Sequence, residues 1–81
     1  MGGAGHIDVE AILDDLYASE INASISWLWD GGIDVKLGDE LGGFKAEANV
    51  RTMREAAVWL RDEACRQYPD STFAAKYCGF V

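Results

Sequence analysis

At 81 residues the chain has room for one small domain, whose core can supply only modest stability. Its 49% hydrophobic and 11% aromatic content argues against disorder, and no run of 18 apolar residues offers a membrane span. A net charge of −7 repels phosphate backbones, so nucleic acid is disfavoured as a partner.

The charge is uneven. Ten acids face Lys36 and Lys45 in residues 1–50, giving −8, whereas five cations outweigh four acids by one in residues 51–81. Residues 1–7, Gly-rich and without the basic and apolar regions of a secretion signal, read as a flexible tail. Residues 8–81 read as a single domain, with a cytoplasmic location expected.

Asp8 caps a helix predicted over about residues 8–19, because Val9, Ile12, Leu13, Leu16 and Tyr17 recur at spacings of three and four. Period-two alternation follows. Ala23, Ile25, Trp27 and Trp29 share one face of a strand, and Ser24, Ser26, Leu28 and Asp30 the other. Ile33, Val35 and Leu37 continue that face in a second strand, and Phe44, Ala46, Ala48 and Val50 in a third.

A three-residue loop, Asp30-Gly31-Gly32, would pair Trp29 with Ile33, Trp27 with Val35 and Ile25 with Leu37, with Gly32 left-handed. Trp27 and Trp29 would then lie under the helices, each burial contributing about 2–3 kcal/mol. For the second connection, opposite charges can meet as Asp34–Lys45 or as Lys36–Glu47.

Thr52 and Glu55 form a capping box for the longest helix, whose stripe is Met53, Ala56, Ala57, Leu60, Ala64 and Tyr68. Asp62 and Arg66 are spaced for an ion pair. Pro69 stops this helix, Ser71 caps a last short one, and Gly79 ends it. The result is an α+β two-layer sandwich: a three-stranded antiparallel meander with helices on one face, in the order α-β-β-β-α-α.

This order resembles that of the double-stranded RNA-binding domain, a topological likeness that implies no function. Those RNA-binding domains place lysines where this chain has Thr52, Met53, Arg54 and Glu55. The stretch "DGGIDVKLGDELGGFKAEANVRTMREAAVWL", residues 30–60, resembles the strand–strand–helix part of HicB-type antitoxins. The helix before the strands and the absence of a Pro-Asp-Leu-Pro-type segment depart from that pattern.

Catalytic chemistry finds little purchase. His6, the single histidine, lies in the tail, and catalysis needs a held geometry. Ser24 and Ser26 near Lys36 are the one conceivable nucleophile, and they also read as plain surface. No phosphate loop, dinucleotide fingerprint, zinc pattern or calcium loop is present. Cofactors and metals are therefore expected to be none.

Cys65 and Cys78 are expected as free thiols. Val58 and Cys65 point about 140–160° from Leu60. They would pack under Phe73, Tyr77 or Phe80, or would form with Trp59 an exposed patch for a partner. The expected function is a non-enzymatic protein-interaction module that self-associates, through that patch or through an edge strand. Its partner would be another protein or a second copy. The alternatives are a HicB-like antitoxin or nucleic-acid-associated regulator, and a small-ligand site between the helices and the tryptophan face.

Overall fold

Each helix begins where a side-chain oxygen replaces a missing backbone partner. The Asp8 carboxylate accepts from the Ala11 N–H, the Thr52 hydroxyl from that of Glu55 and the Ser71 hydroxyl from that of Ala74, each at 3.0 Å. The Glu55 carboxylate reaches back past the cap and accepts from the N–H of Arg51, the residue before it, at 2.8 Å. The computed structural model describes residues 8–39 and 41–78. The expected tail with His6, the stop at Gly79 and the patch residue Phe80 lie outside them.

The element order is α1 (Val9–Ala18), β1 (Ala23–Leu28), β2 (Gly32–Asp39), β3 (Gly43–Val50), α2 (Met53–Gln67) and α3 (Thr72–Cys78). The strands form one antiparallel sheet, β1-β2-β3, and the fold is the expected α+β arrangement. The stripe of α2 lies on the central strand: Ala56, Ala57, Leu60 and Ala64 are buried, as are Ile33, Val35 and Leu37. One half of the core joins Leu37 and Leu60 to Ile12 and Leu16 of α1 and Phe73 of α3. The other half joins Ile33 and Val35 to Ala56.

The first hairpin differs from expectation by two residues. Trp27 pairs with Ile33, Ile25 with Val35 and Ala23 with Leu37, so the three-residue loop is Trp29-Asp30-Gly31. The turn is closed by the Gly31 N–H donating to the Leu28 carbonyl at 2.8 Å. Gly32 is left-handed as expected, with φ of 85°, and a Cβ there would meet the Val50 carbonyl oxygen at 2.8 Å. A shift of two keeps side chains on their faces but moves Trp29 out of the strand into the turn.

The second hairpin takes the Lys36–Glu47 register. A bulge at Gly38 then lets Gly38 pair with Phe44, leaving Lys45 as the extra residue. Gly38 has φ of 107°, and its backbone passes so close to Gly43 that a Cβ would lie 2.5 Å from that carbonyl oxygen. The bulge also reverses parity. Phe44, expected beside Ala46 on the core face, instead lies half-exposed below Lys36, whose Nζ is 5.1 Å from the ring centroid.

Two further expectations are corrected by how α3 and α2 pack. Cys65 and Cys78 are not free thiols. They form a disulfide, because α3 folds back along α2 and brings their Cα atoms to 6.2 Å. Arg66 does not reach Asp62; its Nη1 meets Glu63 at 2.8 Å, and Asp62 pairs with Arg61 at 3.0 Å. Glu63 is the buried carboxylate of the helix, so it has more to gain from the cation than exposed Asp62.

Candidate functional site: an uncovered edge strand

Trp27 and Trp29 are 66% and 94% exposed, so neither contributes the burial expected of it. The reason is width. A helix about 10–12 Å across covers roughly two strands spaced 4.7–4.9 Å apart, and α2 packs on β2 and β3. α1 packs on α2 and on the lower half of the core, leaving the upper part of β1 without a roof. The tryptophan that does bridge both halves of the core is Trp59.

Among the described residues β1 has one neighbour, so its other side is an open edge. The Asn22 carbonyl accepts from the Gly38 N–H at 2.7 Å, pointing toward β2. By the alternation of an antiparallel ladder, Ser24, Ser26 and Leu28 direct their backbone groups inward. Ala23, Ile25 and Trp27 direct theirs to the open side. The strand, Ala-Ser-Ile-Ser-Trp-Leu, has no charge, no proline and no bulge, the features that usually blunt an edge. By contrast β3 has Lys45 and Glu47 along its length.

Beside this edge lies a mainly apolar groove of about 330 Å³ between α1 and β1, lined by Leu13, Leu16, Tyr17, Ile21, Ala23 and Ile25, with Asn22 the one polar amide among them. Tyr17 at its rim is 87% exposed. Exposed apolar side chains, an unpaired backbone and an adjoining apolar groove therefore coincide on one flank of the sheet.

Of the patch expected at the C-terminal helices, the described residues are half-buried or buried. Phe73 is fully buried, Tyr77 stacks on it with ring centroids 4.5 Å apart, and Cys65 is bridged to Cys78. Val58 and Trp59 are half-buried on α2. Trp59, Cys65 and Tyr77 pack against the core that contains Phe73. α3 is held from α1: the Tyr77 hydroxyl donates to Asp15 at 2.6 Å, and Lys76 pairs with the same carboxylate at 2.9 Å.

Those contacts shift both groups. The hydrogen bond from Tyr77 and then that from Lys76 hold the Asp15 carboxyl below its ordinary value. Burial and the bond to Asp15 push the Tyr77 hydroxyl up to about 12. The cluster is a structural clamp whose groups are already partnered.

Ser24 stands opposite Lys36 on the open face of the sheet, but the ammonium is engaged with the Phe44 ring. Among the described residues no group of three or more His, Cys, Asp or Glu side chains is placed to hold a metal ion. No described helix is long and apolar enough to cross a membrane. The sequence signal for the site lay in the pair of tryptophans, and what concealed it was the assumption that one helix layer covers all three strands. Comparison with protein-family models, with curated proteins and with solved structures gives no match.

Proposed function

We propose that this chain is a non-enzymatic protein-interaction module that self-associates by strand addition at β1. The observation that supports this most is the exposure of Trp27 and Trp29 beside an uncharged, unpaired edge. Together these two side chains present roughly 300–400 Å² of surface. That is about half of the ~800 Å² per partner that a stable interface buries. Backbone pairing along the edge supplies the rest of the contact and its direction.

A second copy suits the electrostatics. Two molecules of net charge −7 repel in general, and β1 is a surface where neither brings a charge. Salt that screens this repulsion should therefore tighten association. A nucleic-acid partner would show the opposite salt dependence. Several cations it would need are already spent within the chain: Arg61 on Asp62, Arg66 on Glu63 and Lys76 on Asp15.

The test is light scattering on the full chain across micromolar to millimolar concentration at two ionic strengths. A dimer that strengthens with salt is expected, and a monomer at the highest concentration overturns the reading. Location belongs to the same reading. The location expected from composition is cytoplasmic, while the Cys65–Cys78 bridge is of a kind that persists in oxidising compartments. Trapping thiols in the producing cell before lysis distinguishes the two.

A further inference from the structure

We infer that the second copy docks as an antiparallel strand across a two-fold axis passing through Ile25, so that Trp27 of each copy covers Ala23 of the other. This inference rests on the self-association proposed above and specifies its geometry.

Symmetry restricts the choices. Two antiparallel β1 strands related by a two-fold axis keep both helix layers on the same side of a continuous six-stranded sheet. Residues of the same facing must then meet, so the axis passes through a residue rather than between two. Ile25 and Ser26 are the central candidates.

Within β1 an axis at Ile25 sets Ile25 against itself and Trp27 against Ala23. Every residue on the helix side of the strand then meets an apolar partner. The largest side chain lies over one of the smallest, at the mouth of the groove between α1 and β1. On the open face Ser24 meets Ser26, two small hydroxyls without charge. Since Ala23, Ile25 and Trp27 turn their backbone groups outward, about six hydrogen bonds would cross the interface. An axis at Ser26 instead sets Trp27 against Ile25, leaves Ala23 beyond the paired segment and opposes Ser24 to Leu28. Each axis pairs five residues of β1, but the Ile25 axis engages all three outward-facing residues and fills the groove.

Ser24 and Ser26 are exposed and lie on the open face, so cysteines there report register without touching the core. With the axis at Ile25, residue 24 of one copy lies opposite residue 26 of the other at about 4.5–5.5 Å between Cα atoms, within disulfide range. Full-length S24C and S26C proteins are mixed and gently oxidised, with Cys65–Cys78 left in place, and the products are resolved by mass spectrometry.

A mixed S24C–S26C dimer in several-fold excess over either homodimer is expected. Dominant S26C homodimer would overturn the register and place the axis at Ser26. No cross-link in a sample that still scatters as a dimer would overturn β1 as the interface while leaving self-association intact. A sample that scatters as a monomer would overturn the parent reading and assign the edge to an extended segment of another protein.

Discussion

Trp27 stands directly opposite Ile33 on the same face of the sheet, yet Trp27 is 66% exposed and Ile33 4%. Facing and burial are thus separate properties here. Alternation decides the first, and the reach of the helix layer decides the second. A strand's apolar face becomes core only where another element crosses above it, and on β1 that cover stops near Ile25, which packs against both halves of the core.

Stability should follow burial rather than residue type. Trp59→Ala opens a void between the two halves of the core and should cost about 2–4 kcal/mol. Trp27→Ala and Trp29→Ala should each cost less than about 1 kcal/mol. Urea unfolding at concentrations too low for association separates the two cases. A loss for Trp27→Ala equal to that for Trp59→Ala would mean that β1 is covered in the monomer.

Two backbone positions should respond in opposite directions. Gly38→Ala puts a Cβ 2.5 Å from the Gly43 carbonyl oxygen at a φ of 107°, so it should lose about 2 kcal/mol or more and disturb the bulge. Glu20 is left-handed, with φ of 61°, where α1 ends in a Schellman turn: Ile21 N–H donates to the Leu16 carbonyl and Glu20 N–H to that of Tyr17, each at 3.0 Å. Glu20→Gly should gain about 0.5–1 kcal/mol. Thermal melts of both variants check the signs.

Gly38 also shows what was legible in the sequence. Caps at Asp8, Thr52 and Ser71, the α2 stripe and the order of elements depend on residues within a few positions of each other, and all are readable from spacing. The Gly38 bulge depends on where β3 meets β2, and one extra residue reverses the facing of Phe44. The disulfide depends on the angle at which α3 returns across α2, which no local pattern encodes. The tryptophans were visible as a feature, but their exposure depends on the width of the helix layer. The candidate site was thus present in the sequence as residues and absent from it as a surface.

The disulfide should contribute substantially for so short a chain. Closing a loop of 13 residues in the unfolded state is worth about 3 kcal/mol. The double variant Cys65→Ser, Cys78→Ser should lose about 2–3 kcal/mol, with the loss centred on α3. Alkylation of the purified protein under denaturing conditions should add no label before reduction and two labels after it. Two labels without reductant would restore the free thiols expected from sequence.

The clamp of α3 onto α1 should be released at both ends of the pH scale. The folded Asp15 carboxyl lies below its ordinary 3.8, so its contribution is present above that value and is lost as acid protonates it. Tyr77 is raised from 10.0 to about 12, so its contribution is complete below pH 10 and fades between pH 10 and 12. Tyr77→Phe keeps the stack on Phe73 but removes the bond to Asp15. It should be less stable than the parent at neutral pH, and the difference should vanish toward pH 12. Ultraviolet titration should show one late tyrosinate step near pH 12 that is missing in the variant. An unchanged titration would mean that the late step belongs to another group and that Asp15 does not hold α3 in place.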